Sequence, residues 1–321
     1  MMRQEFLQSR QWEQFQQALG RQTFFEQGPN WHYLAFLEHG RISRRLFCPY
    51  GPVVEDLAGF RQAMASLSQR AAQVGADFIR IEPKAGLTKE ELVELGWIKA
   101  ARDVESRETL VNDVSVAEAD IMAGLSQNAR RIWRKLDKAG VEYETSFHPD
   151  DIADFLRMEK SVAARTGIQT QQEHYSRTLA QTLFPSQAAG LMFAELDGRR
   201  VAGFLFTLTD SVMSYQYAGS FSEYRKQSPA TGLGVYGLLQ AHRMGLKEFD
   251  WFGVAPEDAD QSNRYLGWAG FTEFKSRFGG ERRKYLGTWE SPVRKGRYWL
   301  WRRLSQLSET RGYLARKHFL D

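Results

Sequence analysis

The sequence predicts an α/β protein made of two similar domains, each with a mixed sheet. Three observations predict this fold class. The chain has 321 residues, of which 42% are hydrophobic. A helix–glycine–strand pattern occurs twice, and three short strands lie between the two copies. A chain of this length and composition has enough apolar material for two cores.

The repeated pattern is carried by two segments of the chain. The first has a helical stretch, Gly75, the apolar strand DFIRIEP, an insert and then Leu95-Gly96-Trp97 before a further strand. The second has a helix, Gly245, a strand over Glu248–Gly253, an insert and then Leu266-Gly267-Trp268 before a strand. The two glycines of each copy are 21 and 22 positions apart. This shared order predicts two copies of one α/β unit.

Between the copies, GLMFAELDGRRVAGFLFTLTDSVMSYQYAGS predicts three strands, with tight turns at Asp197-Gly198 and Thr209-Asp210-Ser211. A meander followed by a helix and a crossover strand is typical of a mixed sheet of the acyltransferase type. We expect residues 1–107 to form the first domain, with 291–321 packing back on it, and residues 108–290 to form the second. Because no low-complexity linker separates the domains, we expect a ligand-binding cleft between them.

A cationic helix is predicted in the segment NARRIWRKLDKAGVEYE. At roughly 100° per residue, its basic side chains fall within an arc of about 140°; they are Arg130, Arg131, Arg134, Lys135 and Lys138. The apolar residues Ala129, Ile132, Trp133, Leu136 and Ala139 fall on the other side. Gly140 is a suitable C-cap, and VEYET alternates like a strand. Two interpretations remain open, a solvated surface and a polyanion-binding face, and the scarcity of acids inside the helix favours the second.

The C-terminal segment SPVRKGRYWLWRRLSQLSETRGYLARKHFLD mixes aromatic residues with eight Lys or Arg and two acids. Such a segment can lie on a membrane surface or pack onto the protein. We favour packing, because the acids weaken attraction to a membrane.

Composition excludes several classes of protein. The formal net charge of +4 is too small to indicate a nucleic-acid partner by itself. The single cysteine, Cys48, fits a reducing compartment. The N-terminal stretch lacks the apolar core of a signal peptide, and no apolar run is long enough to span a bilayer. We therefore expect a soluble cytoplasmic protein. A monomer is expected as well, although these features do not determine the oligomeric state. The six histidines lack metal-ligand spacing, so we expect no metal site.

A short glycine pattern opens a predicted helix at Thr231-Gly232-Leu233-Gly234. Acetyl-CoA-dependent transferases hold a pyrophosphate on a Gln/Arg-x-x-Gly-x-Gly/Ala loop at such a point. Here Pro229 stands in the first position, so the match is partial. The alternative is that the glycines only allow close helix packing.

The order of motifs resembles the Fem (FemABX) family of aminoacyl-tRNA-dependent peptidyltransferases, which build peptidoglycan interpeptide bridges. The similar motifs run through nearly the whole chain: FLQSRQWEQFQ, FCPYGPVVED, DFIRIEP, LSQNARRIWRKLDKAGVE, MEKSVAARTGI, MSYQYAGSFSEYR, KEFDWFGV and FTEFKSRFGGERRKYLGTWE. The resemblance implies tandem GNAT-like (acyl-CoA N-acyltransferase-like) domains of the compact type without a coiled-coil arm. It implies no cofactor, aminoacyl-tRNA as co-substrate, and a peptidoglycan precursor as acceptor, either lipid II or UDP-MurNAc-pentapeptide.

The resemblance also implies roles for single residues. Lys275 would stabilise the oxyanion or the tRNA end. The alternative is that Lys275 is a solvated lysine of a strand without a role in catalysis. Tyr215 and Tyr217 match tyrosines of the acceptor channel; as alternate residues of a strand they are expected to point to one face. Tyr175 matches a tyrosine near the precursor phosphates. The basic helix would neutralise tRNA or precursor phosphates without reading sequence.

Two acids are further candidates. Glu82 ends an apolar strand and matches an acid considered as a proton acceptor, although a structural role fits as well. Asp250 is a similar candidate. Members that act on the UDP-linked precursor have a Lys and an Arg where this chain has Gln14 and Gln171. The loss of two phosphate contacts favours lipid II, which a peripheral contact of the C-terminal segment with the inner membrane face would suit.

Three functions thus remain open: an aminoacyltransferase of the Fem type, an acyl-CoA N-acyltransferase, and a non-enzymatic binder of cell-wall precursor or RNA. The first is favoured by the collinear motifs.

Overall fold

The computed structural model describes residues 4–167, 170–258, 265 and 268–305. The chain divides into two compact units, with a boundary after Arg107. Unit 1 contains the described residues 4–107, 258, 265 and 285–305, and unit 2 contains the described residues 108–167, 170–257 and 268–284. Each unit has its own sheet and hydrophobic core.

Unit 1 is a mixed α/β unit. Its described strands are β1 (Thr23–Gly28), β2 (Trp31–His39), β3 (Arg44–Cys48), β4 (Val53–Val54), β5 (Phe78–Ile81), β6 (Ile98–Lys99) and β14 (Trp289–Pro292). Its described helices are α1 (Arg10–Ala18), α2 (Leu57–Gln73), α3 (Lys89–Glu94) and α10 (295–305), with a 3₁₀ turn at Phe6–Gln8. The strands form one sheet in the order β1-β2-β3-β5-β14-β6, and β4 pairs with β2. Only β3 and β5 are parallel among these pairs.

The first copy of the repeated pattern folds as predicted. The Asp56 carboxylate accepts a hydrogen bond from the amide of Gly59 and caps the start of α2. Residues at helical spacing are buried against the sheet, namely Phe60, Ala63, Met64, Leu67 and Ala71. Gly75 has a φ of +67°, which lets the chain turn directly into the fully buried strand β5. Trp97 precedes β6, the further strand of this copy.

Unit 2 is also a mixed α/β unit. Its described strands are β7 (Glu108–Asp113), β8 (Glu142–Ser146), β9 (Ala189–Leu196), β10 (Arg199–Leu208), β11 (Val212–Ser220), β12 (Glu248–Asp250) and β13 (Glu281–Lys284). Its described helices are α4 (Glu118–Gly124), α5 (Gln127–Lys138), α6 (Ile152–Thr166), α7 (Glu173–Leu183), α8 (Pro229–Arg243) and α9 (Ala269–Ser276), with 3₁₀ turns at Pro149–Asp151 and Ser222–Gln227. The sheet order is β13-β7-β12-β11-β10-β9-β8, and β11 and β12 form its parallel pair.

The predicted meander is confirmed, but one detail of it is wrong. Strands β9, β10 and β11 are antiparallel neighbours joined at the predicted turns. Tyr217 pairs with Leu205 and Tyr215 pairs with Phe206, so Gln216 is an extra residue that forms a β-bulge. Because the bulge shifts the alternation by one residue, the two tyrosines lie on opposite faces of β11, whereas simple alternation predicted one shared face.

Contacts on the two faces agree with this assignment. Tyr215 belongs to the core cluster formed with Leu233 and Leu238 of α8. A β-carbon at Gly219 would lie 2.6 Å from the backbone nitrogen of Glu159, so the face shared by Gly219 and Tyr217 is covered by α6.

The second copy of the repeat departs from the prediction in two places. The strand expected over Glu248–Gly253 ends at Asp250, and the strand expected after Trp268 is the helix α9. Phe271, Phe274 and Phe278 recur at helical spacing, and the last two pack edge-on at 5.2 Å. Leu266 and Gly267, which carried the match to the first copy, lie outside the described residues.

The domain boundary near the C-terminus also differs from the prediction. Residues 285–290 belong to unit 1 and not to the second domain. The reason is that Trp289 and Glu290 are part of β14, which pairs with β5 and β6. Residues 291–305 follow in unit 1, and 306–321 lie outside the described residues. Within the described ranges, no helix combines the length and the apolar character needed to cross a membrane.

Candidate functional site

Lys275 lies on α9, and its ammonium is held by backbone carbonyls. Its Nζ donates to the carbonyl oxygen of Phe252 at 3.0 Å and to that of Gly253 at 2.8 Å. Burial lowers the pKa of Lys275 to about 7, although the charge of Asp250 acts in the opposite direction. A charged ammonium has three N–H donors, and two of them are used by these carbonyl oxygens.

Asp250 positions the turn that carries these carbonyls. Its Oδ1 accepts a hydrogen bond from the amide of Phe252 at 2.8 Å and another from the hydroxyl of Thr109. Phe252 has a φ of +54°, an unfavourable conformation for a residue with a β-carbon, and the bond to Asp250 helps to hold it. Asp250 is buried and acts on Lys275 through the turn and through its charge.

Tyr215 lies beside Lys275. Its ring centroid is 5.6 Å from Nζ, close enough for a cation–π attraction. The ring also packs against Phe204 at 4.8 Å and Trp251 at 5.3 Å. Burial raises the pKa of the Tyr215 hydroxyl, which therefore keeps its proton at neutral pH. The structure thus brings Lys275, Asp250 and Tyr215 together within unit 2.

Tyr217 and Tyr175 are placed elsewhere in the same unit. The Tyr217 hydroxyl accepts a hydrogen bond from Nε2 of Gln171 at 3.2 Å, on the α6 face of β11. Tyr175 is half-buried on α7, which packs against α6. These residues therefore belong to a region on the other side of the sheet from Lys275.

Glu159, on α6, is a residue that the sequence analysis missed. Its side chain is buried, and it has no hydrogen bond or ion pair within the described part of the chain. Burial alone raises the pKa of its carboxyl to about 7. A signal was present, because Phe155 and Glu159 are one helical turn apart and the acid falls on the apolar side of the helix.

Glu82 follows β5 in unit 1 and makes structural contacts. Its Oε1 accepts hydrogen bonds from the amides of Val104 at 3.1 Å and Glu105 at 2.9 Å, and from the hydroxyl of Thr288. Its Oε2 is buried without a hydrogen-bond partner among the described residues. Burial raises the pKa of Glu82 above its ordinary value. The carboxyl group therefore links the segment around Val104 to Thr288, the residue before β14, through hydrogen bonds.

The cationic helix is α5, and its charges divide into two groups. Arg131, Arg134, Lys135 and Lys138 are exposed, and none of them forms an ion pair with a described carboxylate. Arg130 is different, because its guanidinium donates to the carbonyls of Ala123 at 2.8 Å and Leu125 at 2.7 Å at the end of α4. These contacts give Arg130 a structural role, and its role as a phosphate ligand stays a prediction.

The apolar side of α5 is largely as predicted. Ala129, Ile132 and Leu136 are buried, and Trp133 stacks on Tyr143 at 5.2 Å. Ala139 is exposed instead of buried, because it is the C-cap and lies beyond the last packed turn.

The glycines at the start of α8 are explained by packing within unit 2. A β-carbon at Gly232 would lie 2.2 Å from the hydroxyl oxygen of Tyr143 and 2.5 Å from a methyl carbon of Leu136. One at Gly234 would lie 2.5 Å from the ring of Phe278. Side chains of the protein occupy the space above both glycines, which favours the packing interpretation over a pyrophosphate loop.

Comparisons with known proteins agree with the fold. Residues 124–265 match the family model described as an acetyltransferase (GNAT) domain. Among solved structures, the crystal structure of FemX has a TM-score of 0.82 at 16% sequence identity, covering 93% of this chain and 94% of that one. No significant match was found among curated proteins.

Two further solved structures are similar over most of the chain. The C-terminal domain of a putative lysylphosphatidylglycerol synthetase from Agrobacterium fabrum has a TM-score of 0.62 at 14% identity, covering 91% of this chain and 89% of that one. L-PGS from Bacillus licheniformis has a TM-score of 0.58 at 14% identity, covering 87% and 86%. Residues 124–265 thus match the acetyltransferase (GNAT) domain model, and the chain has the fold seen in FemX.

Proposed function

We propose that this chain is an aminoacyltransferase of the Fem type. It moves an amino acid from the 3′ ester of a charged tRNA to the stem-peptide amine of a peptidoglycan precursor. The observation that carries the proposal is the Lys275 ammonium, held by two carbonyls beside Tyr215. The fold shared with FemX and the collinear motifs support an aminoacyl ester as the donor.

The chemistry is aminolysis of an activated ester. The acceptor nitrogen attacks the ester carbonyl, and the carbonyl oxygen becomes an oxyanion. A fixed cation that contacts this oxygen lowers the barrier, because the charge develops only as the bond forms. The Lys275 ammonium supplies that cation. The tetrahedral intermediate then expels the 3′ oxygen of the tRNA, which takes up a proton.

The acceptor must lose a proton before it attacks. A lysine-like amine has a pKa near 10.4, so the neutral form at pH 7 lies about 4.6 kcal/mol above the charged form. A buried carboxyl with a raised pKa is a suitable proton acceptor, and the pKa of Glu82 is raised by burial. The pKa of Glu159 is also raised, but this residue lies on α6, across the sheet from Lys275, and is too far away for this role. Glu82 already binds three donors, which favours a structural role for it.

The helix α5 is proposed to hold the polyanionic substrates. Its four exposed cations lack carboxylate partners within the described part of the chain, unlike Arg200 and Arg283 of the same unit, which are paired with acids. Unpaired cations on one helix face are available to neutralise phosphates. The neutral Gln171 bonds to Tyr217, and Gln14 is exposed, so neither supplies a charge for a UDP-linked pyrophosphate. Lipid II is therefore the proposed acceptor.

A second candidate is an acyl-CoA N-acyltransferase, which the GNAT domain match favours. The filled space above Gly232 and Gly234 argues against it. Incubation with charged tRNAs and lipid II, followed by mass spectrometry, tests the proposal directly. We expect a product heavier by one amino-acid residue, which is absent with Lys275→Ala and retained with the exposed control Lys247→Ala. Turnover with acetyl-CoA and none with aminoacyl-tRNA would overturn the proposal.

A further inference from the structure

The described part of α10 has two different faces. One face packs on unit 1. Tyr298 is fully buried and meets Phe78 edge-on at 5.4 Å, while Trp301 stacks on Phe78 at 4.4 Å. Arg297 donates to the carboxylate of Asp77 at 2.6 Å. These contacts fix the orientation of the helix on its unit and agree with the packing interpretation of this segment.

The other face is exposed and apolar. Trp299 is 51% exposed, Leu300 is 61% exposed and Leu304 is 42% exposed. They are three of the nine exposed large hydrophobic side chains found in the described residues, and they lie together on one helix. At roughly 100° per residue they share an arc of about 180° with the exposed Lys295 and Arg303.

The charge on this helix has one sign. Residues 295–305 contain four basic side chains and no acid. A helix with large apolar residues, a tryptophan and basic residues on one exposed face has the composition of helices that lie in the interface of an anionic membrane. Lysine and arginine near such a surface attract anionic headgroups, and tryptophan favours the headgroup level.

We propose that the exposed face of α10 docks on an anionic phospholipid bilayer. Trp299, Leu300 and Leu304 enter the boundary between headgroups and acyl chains, and Lys295 and Arg303 contact lipid phosphates. This inference rests on the surface of unit 1 and not on the proposed transfer reaction. If both hold, docking brings the enzyme to the membrane in which a lipid-linked acceptor resides.

Co-sedimentation with vesicles tests the proposal. The full chain is mixed with vesicles of phosphatidylcholine alone or of phosphatidylcholine with phosphatidylglycerol. We expect binding to the anionic vesicles that weakens as salt is added. The triple variant Trp299→Ser, Leu300→Ser, Leu304→Ser should bind at least about 10-fold more weakly. A matched control replaces three exposed apolar residues elsewhere on unit 1, Ile42→Ser, Val93→Ser and Leu95→Ser, and should bind like the wild type.

A second variant tests the contribution of the basic residues separately from that of the apolar residues. Lys295→Gln with Arg303→Gln should abolish the preference for phosphatidylglycerol. Equal binding of wild type and the serine triple variant would overturn the proposal, as would absence of wild-type binding to anionic vesicles at low salt. Sedimentation velocity identifies another outcome: a wild-type dimer that the serine variant converts to monomer would assign the face to a second copy of this chain.

A transfer assay with a water-soluble acceptor distinguishes failure of membrane docking from failure of the proposed transfer reaction. The serine triple variant should transfer to a water-soluble stem-peptide acceptor at the wild-type rate. Failure of the wild type on that acceptor bears on the proposed function, whereas the vesicle result bears on the docking surface alone.

Discussion

The ammonium of Lys275 lies 5.6 Å from the centroid of the Tyr215 ring. The two residues come from elements that are far apart in sequence, and the carbonyls of the turn after β12 fix the ammonium beside the ring. Tyr217, although only two residues from Tyr215, lies on the opposite face because of the bulge at Gln216. The candidate catalytic group is therefore Lys275 with Tyr215, and Tyr217 belongs with Gln171.

The pH dependence of transfer should reveal which form of Lys275 acts. The pKa of Lys275 is lowered to about 7, so the ammonium loses its proton as the pH rises through neutrality. If the charged form stabilises the oxyanion, kcat/KM should fall above about pH 7. Lys275→Ala should reduce kcat by about 100-fold or more. Lys275→Arg keeps a positive charge at all these pH values, so its lower rate should not decline above pH 7.

Rates measured in a pH series with both variants test this assignment. Circular dichroism checks that each variant folds. A wild-type rate that instead rises through about pH 7, with the rise lost in Lys275→Arg, would identify the neutral amine as a proton acceptor.

Glu159 should make the protein less stable at neutral pH than at mildly acidic pH. Its pKa is raised to about 7 in the folded protein, so the folded state binds the proton more tightly than the unfolded chain. Stability from this group is present at low pH and is lost as the pH rises toward 7. Glu159→Gln removes the charge, so its free energy of unfolding at pH 8 should exceed that of the wild type by on the order of 2 kcal/mol.

Denaturant unfolding at pH 4.5 and pH 8 measures this effect, at values that bracket the titration. The exposed residue Glu142 provides the matched control, and Glu142→Gln should leave stability unchanged at both pH values. A Glu159→Gln protein that is less stable than the wild type at pH 8 would contradict the prediction.

Much of the fold could be predicted, because it depends on local patterns. The buried face of α2, the meander of unit 2 and the cationic face of α5 each follow from periodicity and turn residues. The bulge at Gln216 could not be predicted in this way, since no glycine or proline marks its position in the strand. The segment of α9 is a helix and not the predicted strand because Phe271, Phe274 and Phe278 recur at helical spacing.

Only part of the candidate site could be predicted from the sequence. The family resemblance points to Lys275, Tyr215 and Asp250. Their mutual contacts, however, depend on the turn at Phe252, whose φ of +54° no sequence pattern indicates. The hydrogen bonds from Arg130 to the carbonyls at the end of α4 depend on where α4 ends relative to α5. Such facts are set by tertiary packing and not by local propensity.

Glu82 should be more important for stability than for transfer. Glu82→Ala removes the acceptor for three donors, two of them amides, and should lower the free energy of unfolding by on the order of 3 kcal/mol. Glu82→Gln keeps one acceptor oxygen and should lower it less. Thermal melts with turnover assays distinguish the roles. Loss of turnover in a stable Glu82→Gln protein would support the proton-acceptor interpretation instead.

The charges of α5 should contribute to tRNA binding through counterion release. Replacing Arg134, Lys135 and Lys138 with glutamine should reduce the slope of log K against log salt by up to about 2 to 3, because each lost phosphate contact accounts for about 0.9. Filter binding across a salt series measures the slope. Arg130→Gln is the informative comparison. It should lower stability through the lost carbonyl contacts and leave the slope unchanged. Equal slopes for the triple variant and the wild type would show that α5 is a solvated surface.

Gly232 should be required by Tyr143 and not by a ligand. Alanine at this position would place its β-carbon 2.2 Å from the Tyr143 hydroxyl oxygen, so Gly232→Ala should destabilise the protein by about 1 to 3 kcal/mol. The Tyr143 hydroxyl has no hydrogen-bond partner among the described residues, so Tyr143→Phe should itself be nearly neutral. The double variant should recover part of the loss, with a coupling energy above about 0.5 kcal/mol in a double-mutant cycle. Additive losses, together with a thermal shift on adding CoA that Gly232→Ala removes, would instead place an acyl-CoA pyrophosphate at this helix.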